Sequence, residues 1–320
     1  MQDIFKTFHD LGIIPVVAIN DANHAVPLAK ALVAGGLPVA EITFRTDAAE
    51  ESIKRIAKEV PEVVLGAGTV LTIDQAKRAV DAGANYIISP GIEPKVVGWC
   101  VENNIPVTPG VACPSDIAMA LDFGLEVVKF FPAENIGGLP AMKSMAAPYG
   151  MLKFIPTGGI NAGNINTYLG FNKVLACGGS WMVKSDLIND GKFDEIERLT
   201  RQAVLTMLGF ELAHVGINTA DDAESLSVTK TLAGLFSLPV KEGNSSNFAG
   251  TIAEVMKGKG PGTNGHFAIA TNDVERAMAH LGRQGVEFDM SSVKGPEGGP
   301  IKAIYLKDEV AGFGVHLLRR

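Results

Sequence analysis

Cysteine is scarce in this chain: Cys100, Cys113 and Cys177 are the three in 320 residues. They are odd in number and widely spaced, which excludes a disulfide framework and a cysteine zinc cluster and points to a reducing, cytoplasmic setting. Basic clusters are missing too. With a formal net charge of −7 and no run of Lys and Arg, the chain makes a poor partner for nucleic acid or an anionic membrane. The longest apolar stretches, such as residues 13–19, are far too short to span a bilayer. The opening Met-Gln-Asp-Ile-Phe-Lys-Thr-Phe-His-Asp lacks the apolar core of a signal peptide. No Gly-x-Gly-x-x-Gly follows the first apolar run, which counts against a dinucleotide fold. What the chain does have is 47% hydrophobic and 20% charged residues, enough for a sizeable core, over a length that suits two domains.

Short apolar runs alternate with amphipathic segments up to about residue 208. The runs are 13–19, 39–45, 63–70, 86–90, 106–111, 126–132, 153–158 and 173–178. Between them, residues 25–34, 48–58, 73–81, 94–103, 115–123 and 193–207 read as helices. Eight strands alternating with helices predict an α/β fold of parallel β/α units closing into a TIM (β/α)8 barrel, with a doubly wound open sheet as the alternative.

The run 126–132 holds Lys129 in the middle of Val-Val-Lys-Phe-Phe. A lysine is rarely placed inside an apolar strand unless it pairs or reacts, and a buried amine favours its neutral form, which can attack a carbonyl. Strand alternation puts Val127, Lys129 and Phe131 on one face, and Val39, Glu41, Thr43 and Arg45 on one face of 39–45. The apolar residues of the other faces suit packing against helices. Lys129, Glu41 and Arg45 are thus expected inside the barrel, with Arg45 nearer the C-terminal mouth where this fold places its sites. A purely structural Glu41–Lys129 ion pair is the competing reading. Two glycine-rich turns, Pro156-Thr-Gly-Gly-Ile160 and Cys177-Gly-Gly-Ser-Trp181, follow the seventh and eighth runs. That is where the fold commonly binds phosphate through backbone N–H groups, although a glycine pair also makes an ordinary tight turn.

Six motifs in order, Glu41-Ile-Thr-Phe-Arg-Thr46, Gly66-Ala-Gly-Thr69, Ser89-Pro-Gly91, Lys129-Phe-Phe-Pro-Ala-Glu134, Pro156-Thr-Gly-Gly159 and Gly178-Gly-Ser-Trp181, resemble the 2-keto-3-deoxy-6-phosphogluconate aldolase family, which also cleaves 4-hydroxy-2-oxoglutarate. The resemblance runs from the N-terminus to about residue 205. It implies a class I aldolase that needs no cofactor, acts on a small 2-keto acid and assembles as a homotrimer. It implies Lys129 as the Schiff-base lysine and Glu41 as the proton shuttle. Arg45 and Thr69 would hold the pyruvate carboxylate, and Pro90 and Phe131 would shape the pocket. Thr157 would contact the substrate hydroxyl, and Gly158, Gly159, Gly179 and Ser180 would hold the phosphate.

Beyond residue 208 the chain repeats itself. Ala213-His-Val-Gly-Ile-Asn-Thr219 aligns with Gly265-His-Phe-Ala-Ile-Ala-Thr271, and Gly250-Thr-Ile-Ala-Glu254 with Gly312-Phe-Gly-Val-His316. Helices are expected over 221–235 and 273–284, and strands beginning at Val240 and Val286. The expected boundaries are 1–208 for the barrel and 209–320 for a smaller α+β domain of two tandem βαβββ modules. This second part resembles the vicinal oxygen chelate superfamily, which includes glyoxalases. The resemblance implies a divalent metal held by His214, Glu254, His266 and His316, ligand types that suit zinc, manganese, iron or nickel. The bland alternative is that these side chains hydrogen-bond within a sheet that has lost its metal. Two further readings of the whole chain stand beside the aldolase: a phosphosugar-binding sensor barrel, which predicts a damaged lysine–glutamate pair, and a bifunctional enzyme with a metal-dependent second activity.

Overall fold

The computed structural model describes residues 4–320. The chain divides into two compact units, one ending at Met207 and the other running Leu208–Arg320.

In the first unit eight parallel strands form one sheet: β1 Ile13–Val17, β2 Val39–Thr43, β3 Val64–Gly68, β4 Tyr86–Ser89, β5 Val107–Val111, β6 Val127–Phe130, β7 Lys153–Pro156 and β8 Cys177–Gly179. Their order is β7-β6-β5-β4-β3-β2-β1-β8. Parallel bridges of Thr157 to Gly178 and Phe154 to Val174 join its two ends, so the sheet closes as the TIM barrel that the alternation predicts. Every residue of β2, β4, β5, β6 and β8 is buried, as expected of strands enclosed by helices outside and packed side chains within.

Local chemistry starts the helices where strands end. Thr72 accepts from the Gln75 N–H at 3.1 Å to cap Ile73–Asp81, and Asp116 accepts from the N–H groups of Ala112 and Cys113 to open Pro114–Asp122. Gly138–Ala146 and Ile165–Leu169 fill the two connections for which the sequence suggested no helix. The first begins on left-handed Gly137 and Gly138 and carries Pro140, residues that read as turn rather than helix. The eighth strand is shorter than the expected 173–178. Its first half is a turn, with Phe171 N–H donating to Tyr168 O at 3.0 Å and Val174 N–H to Phe171 O at 2.8 Å.

The second unit is two βαβββ modules. One comprises β9 Glu211–Ile217, helix Asp222–Phe236, β10 Val240–Glu242, β11 Ser246–Ala249 and β12 Ala253–Met256. The other comprises β13 His266–Thr271, helix Val274–Gly282, β14 Phe288–Lys294, β15 Ala303–Leu306 and β16 Gly314–Arg319. Their single sheet has the palindromic order β10-β11-β12-β9-β13-β16-β15-β14. In both modules an aspartate caps the helix, Asp221 accepting from Glu224 N–H and Asp273 from Arg276 N–H, each at 2.9 Å. β14 begins two residues later than expected because Val286 N–H closes the preceding helix on Leu281 O at 3.1 Å. Among the described residues no helix is long and apolar enough to cross a membrane.

Candidate active site

Lys129 on β6 and Glu41 on β2 both turn into the barrel. They are 4% and 1% exposed, and Lys129 Nζ lies 3.3 Å from Glu41 Oε1. The Phe131 ring centroid lies 5.1 Å from the same amine. Beside Lys129 in the sheet is Gly110, which the Pro90 carbonyl approaches so closely that a Cβ on Gly110 would stand 2.0 Å from its oxygen.

The seat of Glu41 is built by residues to which the sequence reading gave no role. A Cβ on Gly68 would lie 2.1 Å from Glu41 Oε1 and 2.6 Å from its Cγ, so the carboxylate occupies the space that a side chain would take. Next to it, Tyr86 is 1% exposed and donates to Ala40 O at 3.0 Å, pinning the residue before Glu41. Burial, reinforced by the Glu41 charge, pushes the Tyr86 phenol well above its ordinary value, so it remains a donor. A glycine inside a strand is the signal that marks such close approaches.

Arg45, just past β2, is exposed, and its Nε donates to Thr69 Oγ1 at 3.1 Å. Thr69 holds a left-handed backbone with φ 57°, an uncommon conformation for a β-branched residue. Arg45 and Ser180 share the wall of a cavity of about 310 Å³ with Thr43, Lys184 and Ser185. Lys129 and Glu41 are not part of that wall. Lys184 is a further cation at this cavity that no motif had marked. Thr157 is buried and packs so closely on Gly178 that a Cβ there would lie 2.3 Å from Thr157 Oγ1. Gly158 and Gly159 follow with φ 100° and 80°. Gly179 lies under the Trp181 ring, whose nearest atom would be 2.0 Å from an added Cβ.

In the second unit, four neighbouring strands bring His214, Glu254, His266 and His316 onto one face. His214 and His316 both pair with Ala268, while His266 and Glu254 both pair with Gly216. Gly216 makes the cluster possible, since a Cβ there would stand 2.0 Å from the His266 ring. Glu254 Oε2 lies 3.1 Å from Nε2 of both His214 and His266, and those two nitrogens are 3.3 Å apart. One ring nitrogen from each of His214, His266 and His316 falls within 4.8 Å of the others. Hydrogen bonds from His214 and then His266 hold the Glu254 carboxyl well below the usual carboxylate range, and burial pushes His316 down to about 4. His266 Nδ1 and both nitrogens of His316 are buried without a hydrogen-bond partner among the described residues. Orphaned buried nitrogens beside a carboxylate fit a divalent cation of the zinc, manganese, iron or nickel type.

The first unit is therefore a TIM-barrel enzyme, its polar side chains gathered inside and at the C-terminal mouth. A family model for the KDPG and KHG aldolases matches residues 4–199, and the chain belongs to this family. It is 46% identical over 204 residues to the 2-dehydro-3-deoxy-phosphogluconate aldolase of Treponema pallidum, covering 64% of this chain and 97% of that protein. It is 45% identical over 192 residues to the KHG/KDPG aldolase of Escherichia coli K12, covering 60% and 90%. A crystal structure of KDPG aldolase from Legionella pneumophila, with pyruvate captured as a covalent carbinolamine, superposes with a TM-score of 0.61 at 37% identity, covering 62% of this chain and 97% of that one.

Proposed function

We propose that the barrel is a class I aldolase that cleaves 2-dehydro-3-deoxy-6-phosphogluconate to pyruvate and glyceraldehyde 3-phosphate, and 4-hydroxy-2-oxoglutarate to pyruvate and glyoxylate. The observation that carries this reading is the buried Lys129–Glu41 contact at 3.3 Å. A sensor barrel would have had no need to keep that pair intact, and a phosphosugar isomerase would not require an iminium.

The Lys129 amine attacks the C2 ketone to give a carbinolamine. Glu41, within reach of Nζ, moves protons as water leaves and the iminium forms. The C4 hydroxyl then gives up its proton to the Glu41 carboxylate, the C3–C4 electron pair flows into the iminium, and the aldehyde departs. The remaining enamine takes a proton at C3, relayed through Glu41. Water hydrolyses the pyruvate imine and restores the amine. Arg45 offers its remaining guanidinium N–H groups as a planar fork for the C1 carboxylate, with Thr69 holding its Nε. Pro90 and Phe131 wall the pyruvate end, and Thr157 meets the substrate hydroxyl. Gly158, Gly159, Gly179 and Ser180 cradle the phosphate through backbone N–H groups and one hydroxyl. The working assembly is a homotrimer in the cytoplasm, a reading supported by the family likeness and testable by sedimentation.

For residues 209–320 we infer a glyoxalase-like, vicinal oxygen chelate domain with a divalent metal site at His214, Glu254, His266 and His316. The orphaned nitrogens support it. Such an ion, when bound, acts as a Lewis acid. Here the chain supplies imidazoles, a carboxylate and the room that Gly216 leaves.

The deciding experiment for the barrel is mass spectrometry after incubation with pyruvate and borohydride. An adduct mapped to Lys129 is expected; folded protein with no adduct would sink the aldolase reading.

A further inference from the structure

Tyr168 lies on the helix Ile165–Leu169 and is 2% exposed. Its hydroxyl donates a hydrogen bond to the Glu134 carboxylate. Glu134 itself is exposed, at the head of the turn Glu134–Ile136 that follows β6. The pair thus ties the segment after the Lys129 strand to the segment after β7, and the turn of Gly158 and Gly159 runs beside it. Ala133 N–H donates to Thr157 O at 2.8 Å, and Glu134 N–H to Gly158 O at 3.1 Å. The Glu134 side chain packs on the turn so tightly that a Cβ on Gly159 would lie 2.5 Å from its Cγ. The side chains of Asn161 and Asn164 each donate to Gly159 O at 3.1 Å.

Both carbonyls of the turn are therefore held. In a planar trans peptide the N–H points opposite to the carbonyl of the same unit. Holding the carbonyls of Gly158 and Gly159 fixes the directions of the Gly159 and Ile160 N–H groups, the donors of an anion cradle. We propose that Glu134 and Tyr168 are positioning residues for the substrate phosphate: the Tyr168 hydroxyl holds the Glu134 side chain against Gly159, and that packing keeps the turn seated on the Glu134 N–H and on Asn161 and Asn164, which favours phosphorylated over unphosphorylated 2-keto acids. Neither residue touches the substrate. The inference rests on the aldolase reading and deepens it.

The test compares Tyr168→Phe, Glu134→Ala and Glu134→Gln on 2-dehydro-3-deoxy-6-phosphogluconate and on 4-hydroxy-2-oxoglutarate. Tyr168→Phe and Glu134→Ala are expected to raise KM for the phosphorylated substrate about tenfold, as the loss of roughly one hydrogen bond's worth of positioning implies, with kcat little changed. KM for 4-hydroxy-2-oxoglutarate stays near the wild-type value. Glu134→Gln, whose amide oxygen still accepts from Tyr168, stays close to wild type on both. Equal KM changes on the two substrates, or none, would overturn the proposal. Should Tyr168→Phe not fold, the exposed position 134 carries the same test. A wild-type protein that traps no pyruvate on Lys129 would instead overturn the aldolase reading beneath it, a failure seen before any variant is made.

Discussion

Replacing Gly68 by alanine adds one methyl group to the barrel interior without changing any charge. That methyl would start 2.1 Å from Glu41 Oε1, 2.6 Å from its Cγ and 2.7 Å from its Cδ. Ordinary contacts begin at about 3.5 Å, so the carboxylate must withdraw by roughly 1 Å or more. It cannot do so and stay where it is, 3.3 Å from Lys129 Nζ. The φ of Gly68 is not positive, so alanine brings no backbone strain there. Overpacking should lower stability by about 1–3 kcal/mol. A misplacement of ~1 Å costs about 100-fold in rate, close to 2.7 kcal/mol in the barrier.

The assay is pyruvate release coupled to NADH oxidation by lactate dehydrogenase, with a thermal melt of the same preparation. A fall in kcat of about 100-fold is expected, with KM changed far less because Arg45 and the glycine turns are untouched. Borohydride should still trap pyruvate on Lys129, only more slowly. A kcat within about threefold of wild type in a normally folded variant would refute the claim that the position of Glu41 sets the rate.

Lys129→Met removes the proposed nucleophile and should abolish both turnover and the trapped adduct; residual adduct at another lysine would refute its role. Arg45→Lys should raise KM about tenfold on both substrates, since the carboxylate fork is common to them; a change confined to the phosphorylated substrate would place Arg45 at the phosphate instead. Metal analysis of purified protein should find about one divalent ion per chain, lost in His214→Ala and His266→Ala; retention in both variants would remove the metal from this cluster. Burial pushes the Cys100 thiol up to about 12, so it stays protonated through pH 9 and resists iodoacetamide, whereas exposed Cys113 reacts; rapid labelling of Cys100 in folded protein would contradict its burial.

Much of the barrel was legible because its strands are short apolar runs bounded by punctuation. Strand parity was enough to bring Lys129 and Glu41 together from segments 88 positions apart. What escaped was set by context. The helix Gly138–Ala146 begins on two left-handed glycines and holds a proline, so its local sequence argues for a turn and only packing makes it helical. The start of the eighth strand was lost to the turn closed by Val174 N–H, which apolar content alone does not reveal. The bond between Glu134 and Tyr168 joins residues 34 positions apart, and neither is unusual in its own segment.

The glycines show where a one-dimensional reading stops. Those at the ends of β7 and β8 stood out because they come in pairs beside turns. Those inside strands carry as much of the site: Gly68 seats Glu41, Gly66 admits the Tyr86 ring and Gly216 in the second unit receives His266, while Gly178, one of the paired glycines, receives Thr157. Three of these pairs are direct neighbours across the ladder, Gly66 with Tyr86, Thr157 with Gly178 and Gly216 with His266. A strand glycine weakens its own strand, and in these three pairs it sits opposite a bulky or polar side chain that takes the space its Cβ would fill. Sequence marks the glycine and marks the side chain, but only the register says that they meet. Once the strands are paired, a glycine opposite a histidine, a tyrosine or a threonine becomes evidence for where that side chain is held, and alanine at each such glycine becomes a way to move the group without deleting it.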